Sequence, residues 1–447
     1  MRFTHKMGEL RDTISHIRNM ELIDHSEKLR DSERIILKAG RVIDPFAKTD
    51  KVMDLAIRDG RIDSLGESIS PKQGDAFIDV KGLMVIPGLV DIHLHIHDLL
   101  TFDIKTGEES VVHGVTTGLT PGAANSLRAP SFLGSELDRG SLMNIGCYLG
   151  ALGVLGLNAT REETIAYLRG EMAEDDALQK ISRSRITVRT APLAIGIKDH
   201  QAHFILSEEK MRTIAHIAAQ SNLLLMSHAQ CPSYAEEMAK WAEGNHLHLG
   251  HTDAVATSGM EAYERVLGLI RDNENVTGEL TTTLLRRSRG DRDGIVISEE
   301  ARRLSLDALK GGMITILISD GPSHAVKGFG DTKDSVPAIM DLIEDGVLDP
   351  LSAFATMTTN PARLMAKVTG RDWWLKELGS LCEGTRADIA VINPIEKEVV
   401  YTFVNGEMVA FEGRVIRKGC GAGGWVTRFG IIQQMGVGDL TRIRRQT

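Results

Sequence analysis

The segment DIHLHIH sets Asp91, His93, His95 and His97 at alternating positions. In an extended strand such residues project to one face, and two imidazoles at i and i+2 can chelate one divalent metal. His93 and His95 are therefore read as the first metal ligands, with His97 open between a substrate contact and a structural role. Further on, LLLMSHA puts His228 just past an apolar run, and HLHLGHT offers His246, His248 and His251. His251 closes its run, where a ligand is expected, although it is out of step with the other two; His248 is the alternative. TILISDGPSH ends in Asp320. A carboxylate there can bind metal and take a proton from metal-bound water; the plainer reading is a turn former before Gly321. AIGIKDHQAH carries Lys198 after an apolar run. A buried lysine is costly unless it has a function, and the alternative is a lysine that reaches the surface.

These residues need a scaffold that gathers the ends of distant runs. From about Leu89 to 370, apolar β-like runs alternate with helical stretches: GLVDIHLHI, VTTGLTPG, IGCYLGAL, VRTAPLAIGI, LLLMSHA, HLHLGHT, NVTGELTT and TILISDG. One intervening segment, SEEKMRTIAHIAAQSN, has apolar residues at helical spacing. Eight runs mostly separated by helices predict an α/β fold, a (β/α)8 TIM barrel over 89–374, whose strand C-terminal ends carry the active site. Short apolar runs broken by Gly, Asp and Pro precede it (IILKAGRVIDP, KVMDLAIRDGRIDSLG, AFIDVKGLMVIPG) and return after it (GSLCEGTRADIAVINP, VVYTFVNGEMVAFEGRVIRKG). That is the pattern of antiparallel strands and turns. Residues 35–88 and 375–420 are thus expected to form one composite β-sandwich. Residues 1–34 read as a polar helical extension, and 421–447, ending in the basic TRIRRQT, as a tail or subunit contact in a homo-oligomer. The GCGAGG stretch lacks the strand-then-helix context of a phosphate-binding loop.

A chain of 447 residues, 42% hydrophobic and 25% charged, suits a large barrel with a satellite domain and buries its core without disulfides. A net charge of -9 argues against non-specific nucleic-acid binding. No apolar run approaches the roughly 20 residues that cross a bilayer, and the charged N-terminus has no apolar signal core. Cys147, Cys231, Cys382 and Cys420 are far apart, which fits a reducing compartment. A cytoplasmic protein acting on a small molecule, with neither membrane nor nucleic acid as partner, is expected. Neither a GxSxG elbow nor a cysteine with a plausible partner supports nucleophilic catalysis.

PGLVDIHLHIH followed by VVHGVTTG resembles the opening of the amidohydrolase superfamily, and NPARLMAKV…GSLCEGTRADIAVINP…VNGEMVAFEGRV its closing segment. The resemblance covers about 35–420 and includes His, His, Lys, His, His and Asp in the family's order. It implies a binuclear site, usually zinc. His93, His95 and Asp320 would hold the more buried metal and His228 and His251 the second. Lys198 matches the position where dihydroorotases, hydantoinases and isoaspartyl dipeptidases carry a lysine carboxylated by CO2, a carbamate that bridges two cations. The implied reaction is cleavage of a non-peptide or isopeptide-type C–N bond by a metal-bridging hydroxide, with Asp320 shuttling the proton.

IGIKDHQAHF, MSHAQ and LISDGPSH are most similar to isoaspartyl dipeptidases and deacetylase-like relatives. Two departures stand against copying a substrate. His97 replaces the Arg or other characteristic residue of dihydroorotases and hydantoinases, and DLLTFDIKTGEES does not reproduce the Glu-containing loop of isoaspartyl dipeptidases. A cyclic amide or ureide, an N-acyl amino acid and an isoaspartyl dipeptide all stay open. Arg286, Arg287 or Arg289 could clamp a substrate carboxylate or lie in a solvated loop; Tyr148 could stabilise an oxyanion or pack in the core; His324 could orient substrate or Asp320, or have no role. The rivals are a hydrolytic deaminase of a nucleobase-like heterocycle, which Lys198 opposes, and a non-catalytic scaffold, which the intact ligand set opposes.

Overall fold

The computed structural model describes residues 29, 31–96, 105–122, 125–138, 140–200, 205–228, 231–292, 295–321, 329–416 and 422–433. The first flank supplies β1 (Arg34–Asp44), β2 (Thr49–Arg58), β3 (Arg61–Gly66), β4 (Asp75–Asp79) and β5 (Met84–Pro87). Then come β6 (Leu89–Asp91), β7 (Val115–Thr120), β8 (Asn144–Gly150), β9 (Gly196–Asp199), β10 (Leu224–His228), β11 (Leu247–Gly250) and β12 (Val276–Thr281). A small hairpin, β13 (Gly290–Arg292) and β14 (Ile295–Val296), precedes β15 (Ile316–Ile318). The second flank supplies β16 (Ile389–Asn393), β17 (Glu398–Val404), β18 (Glu407–Phe411) and β19 (Arg414–Val415), and the chain ends its described part on β20 (Trp425–Thr427) and β21 (Gly430–Ile432).

The two flanks, distant in sequence, share one nine-stranded sheet in the order β19-β18-β17-β16-β5-β1-β2-β3, with β4 beside β1. Strand β5 is the seam, parallel to β1 at Val42↔Val85 and antiparallel to β16 at Val391↔Val85. The sheet curls until its first flank meets the second again: Ile62 N–H donates to Thr385 O at 2.9 Å and Gly384 N–H to Ile62 O at 2.8 Å. Leu37, Leu55, Val85, Ile389 and Phe403 fill the space so enclosed. The composite β-sandwich is thus a single sheet folded over its own core.

The eight runs read from the sequence become β6 to β12 and β15, neighbours in that order and all parallel. The circle closes where Asp320 N–H donates to His93 O at 3.0 Å. Val90, Leu119, Tyr148, Met226, Ile316 and Ile318, from β6, β7, β8, β10 and β15, form one cluster; residues of non-adjacent strands meet this way only inside a closed barrel. Outside, the helix Glu208–Gln220 starts on Ser207, which accepts from Lys210 N–H, and buries Met211, Ile214, Ala215, Ile217 and Ala218 against the strands.

The fourth run is only partly strand. Arg185–Thr190 is helical, capped by Ser184, and Ala191–Leu193 makes a 3-10 turn with Pro192 in its first positions. Only Gly196–Asp199 is β9. The segment after β12, read either as a substrate clamp or as a solvated loop, includes the β13–β14 hairpin, which pairs Gly290 with Val296.

The end of the chain, expected as a tail or subunit contact, joins the barrel wall over 422–433. Strand β20 pairs with the start of β8 at Trp425↔Ile145, while β9 pairs with β8 only from Tyr148 onward. Arg428 N–H donates to Leu193 O at 3.2 Å. The hairpin therefore fills the wedge between β8 and the approach to β9. Of the helical extension expected over 1–34, residues 1–28 and 30 lie outside the described residues, while 31–33 are turn and bend and Arg34 already begins β1; the basic end 434–447 also lies outside the described residues. Among the described residues no helix is long and apolar enough to cross a membrane.

Candidate active site

Strand β6 stops at Asp91, and the chain continues irregularly through His93 and His95. The Asp91 carboxylate accepts from His93 N–H at 3.0 Å, from Ser319 N–H at 3.0 Å and from Ser319 O–H at 2.5 Å. It ties the His93 segment to the end of β15. Asp91 therefore does not share a functional face with the histidines, because the strand ends before the alternation can run on.

Past that clamp the two imidazoles converge on Asp320. Its Oδ1 lies 3.3 Å from His93 Nε2 and 3.4 Å from His95 Nε2, and its Oδ2 accepts Phe329 N–H at 2.7 Å. These three ligand atoms lie within 4.8 Å of one another and all three residues are buried. Lys198 Nζ reaches the same centre, 3.2 Å from His93 Nε2. On its other side His251 Nε2 lies 2.7 Å from His228 Nδ1, with the His93 and His251 ring centroids 5.2 Å apart. Five strand ends thus deliver His93, His95, Lys198, His228, His251 and Asp320 to one place.

Backbone conformation explains how His251 gets there. It is out of step with His248 along β11, but it sits in the left-handed region at φ 35, and Asp320 does so at φ 50. Neither is glycine, so both carry local strain of a kind that gathers at functional sites. The left-handed turn breaks the strand alternation and swings each side chain into the barrel mouth.

Electrostatics suit a cation. Burial lowers the pKa of His93 and takes that of His251 down to about 3, so both rings are neutral with lone pairs to offer. Burial alone would raise Asp320, but His93, His251 and His95 around it hold it far below the usual carboxylate range. Burial also brings the Lys198 ammonium down to about 8, leaving a larger share of neutral amine, the form that adds CO2. His251 Nδ1 is buried with no hydrogen-bond partner among the described residues. Convergent lone pairs, an anionic carboxylate and an orphaned ring nitrogen fit a metal centre.

Gly250 is what lets Lys198 and His93 meet. A Cβ there would come 2.9 Å from His93 Cε1 and 3.1 Å from Lys198 Nζ. Gly250→Val should cost about 1–3 kcal/mol by overpacking. The check is the urea midpoint together with the metal retained through gel filtration; both should fall.

Other expected residues are engaged elsewhere. Tyr148 is fully buried and its O–H donates to Ile92 O at 3.2 Å, so it packs inside the barrel rather than facing an oxyanion. Arg286 pairs with Asp341 at 2.9 Å and Asp334 at 3.1 Å, and Arg287 with Asp345 at 2.8 Å and Glu344 at 3.2 Å. Those ion pairs, not a substrate carboxylate, occupy both guanidinium groups. Arg289 approaches Glu299 at 3.9 Å. His97 and His324 lie outside the described residues. His248 Nε2 faces Glu279 Oε2 at 3.0 Å and its Nδ1 faces Thr277 Oγ1 at 2.8 Å, which leaves no nitrogen for the metal cluster.

Sequence reasoning missed Glu279. It is fully buried on β12 in contact with His93 Nδ1. Burial would raise its pKa, but His93 and His248 beside it carry it well below the carboxylate range. A lone acid at the centre of NVTGELTT was the available signal, since a buried carboxylate needs partners.

Beside Lys198 opens a cavity of about 120 Å³ lined by Asn125, Ala151, Leu152, Asp199, His200 and Leu206. It is smaller than the roughly 300–1,000 Å³ of drug-sized ligand sites and suits a small molecule.

The chain belongs to the amidohydrolase family, whose model matches residues 84–409. It is accordingly a metal-dependent hydrolase of carbon–nitrogen bonds other than peptide bonds. Among its relatives, the dihydroorotase of Geobacter sp. (strain M21) is 25% identical over 406 residues, 81% of this chain and 90% of that protein. The dihydroorotase of Aquifex aeolicus is 21% identical over 434 residues, covering 84% and 99%. Among solved structures, dihydropyrimidinase from Brevibacillus agri NCHU1002 superposes with a TM-score of 0.65 at 14% identity over 87% of this chain and 97% of that one. L-hydantoinase from Arthrobacter aurescens gives 0.64 at 17% identity over 88% and 99%. At such identities the solved structures speak to the fold alone.

Proposed function

We propose that this hydrolase opens the ring of a small cyclic ureide at a two-metal zinc site, in which His93, His95 and Asp320 would hold one metal, His228 and His251 the other, and a carbamate on Lys198 would supply the shared anionic donor. The observation that carries this is Lys198 Nζ standing 3.2 Å from His93 Nε2 inside a ring of imidazoles and one carboxylate. An ammonium there repels the cations the other residues attract. Addition of CO2 to the neutral amine forms the N–C bond, releases one proton and leaves an anion with two oxygen donors, which removes the conflict. The names of the relatives, dihydroorotase, dihydropyrimidinase and hydantoinase, support a cyclic ureide.

When bound, the metals polarise the scissile carbonyl and raise the acidity of the attacking water. The rest falls to the chain. Asp320 takes the water proton as the tetrahedral centre forms and returns it to the leaving nitrogen, so no free amide anion departs. Phe329 N–H holds Oδ2 and so fixes the orientation of the carboxylate. Asp91 and Ser319 fix the His93 backbone. The cavity walls of Ala151, Leu152 and Leu206 exclude water from one side of the substrate. A cytoplasmic setting and self-association into a homo-oligomer complete the proposal; Cys147, Cys231 and Cys382 are free thiols.

The test is a substrate panel on enzyme prepared with zinc and bicarbonate: dihydroorotate, dihydrouracil and hydantoin against N-acyl amino acids and isoaspartyl dipeptides. Ring opening to a ureido acid is the expected result. Turnover confined to the acyclic compounds would move the substrate class, and ammonia released from a nucleobase-like ring would favour a deaminase.

A further inference from the structure

Behind His93, away from the cavity, buried polar groups run in line along β11 and β12. Glu279 Oε1 accepts from His251 N–H at 3.1 Å and is in contact with His93 Nδ1. Its Oε2 is 3.0 Å from His248 Nε2. His248 Nδ1 is 2.8 Å from Thr277 Oγ1, which is 3.2 Å from His246 Nε2. His93, His248 and Glu279 are all buried to within 1%.

Donor and acceptor roles along this line are coupled. A carboxylate only accepts, so both ring nitrogens facing Glu279 must carry hydrogen. His248 Nε2–H then leaves Nδ1 as an acceptor, filled by the Thr277 O–H. The Thr277 oxygen in turn accepts from His246 Nε2–H. At the other end, His93 Nδ1–H leaves Nε2 bare, and Nε2 is the atom facing Asp320 and Lys198. One set of proton positions satisfies every group, and it is the set that makes His93 a metal ligand.

We propose that Glu279 is a positioning residue that locks His93 in the Nδ1–H tautomer for metal binding, and that His248, Thr277 and His246 hold Glu279 in that role. This rests on His93 being a ligand, as argued above. Glu279→Gln keeps the shape but brings an NH2 that must face either His93 or His248. Facing His93, it demands the Nε2–H tautomer, which cannot ligate; facing His248, its neutral oxygen holds His93 Nδ1–H and His251 N–H more weakly than the carboxylate does. His248→Gln is the contrasting change: its amide N–H can still donate to Glu279 and its oxygen still accept from Thr277.

The experiment measures zinc affinity by chelator competition in the full-length protein, with ring-nitrogen NMR shifts of labelled histidine as a second readout. Glu279→Gln should weaken zinc binding about 10–100-fold, the range for partners that orient a metal-binding histidine, and shift the His93 ring signals. His248→Gln should lose far less. Equal losses in both variants, or wild-type affinity in Glu279→Gln, would overturn the proposal. His93→Ala separates the two levels: if it keeps full zinc affinity, the ligand assignment itself fails; if it loses zinc while Glu279→Gln keeps it, only the positioning role fails.

Discussion

Asp320→Asn should lower kcat by about 10²–10⁴-fold, the range for loss of a positioned acid–base group. The variant should fold, because asparagine tolerates the left-handed backbone held at φ 50. Its amide oxygen can accept Phe329 N–H in place of Oδ2. That leaves the NH2 aimed at the space between His93 Nε2 and His95 Nε2, where Oδ1 stood at 3.3 and 3.4 Å. A neutral donor there takes no proton and weakens the metal site. Steady-state kinetics alongside metal analysis check both effects, and undiminished turnover would remove the proton-shuttling role.

Lys198→Ala should act through the metals. Without the proposed carbamate the site would keep its imidazoles and lose the anion that would hold two cations side by side. A fall in kcat of at least about 10²-fold is expected, comparable to removing a major electrostatic element of an active site. Metal content should drop with it. Acetate or formate, small enough for the vacated space, should restore part of the activity by supplying the missing carboxylate, while methylamine should not. Rescue by the amine instead would mean that Lys198 works as a cation and carries no carbamate.

Much of this site is legible in the sequence because its residues stand at the ends of apolar runs. His228 follows LLLMS, Asp320 follows ILIS, and Lys198 follows AIGI; in a parallel barrel those ends all lie at one face. The eight runs themselves mark the strands, since each of β6 to β12 and β15 lies within its run or overlaps it. The fourth run misleads because VRTAPL is as apolar as a strand, while Ser184 and Pro192 set a helix start and a 3-10 turn that apolarity alone does not reveal.

What the sequence hides is pairing at a distance. Glu279 reads as one acid in a strand until His93 and His248 are placed beside it, 186 and 31 residues away. Arg286 and Arg287 look like a substrate clamp until Asp334, Asp341, Glu344 and Asp345 occupy them. The end of the chain looks like a tail because strand β20 is three residues long and its partner, Ile145, lies far back in β8. In each case the sequence displays one group and the fold supplies the other.

The direct test is the location of the metal. Crystals of the protein prepared with zinc and bicarbonate, measured at the zinc absorption edge, should show two anomalous peaks. One is expected among His93, His95 and Asp320 and one beside His228 and His251, with added density on Lys198 Nζ between them. Absence of any peak within bonding distance of His93, His95 and Asp320 in zinc-loaded, active protein would contradict the assignment.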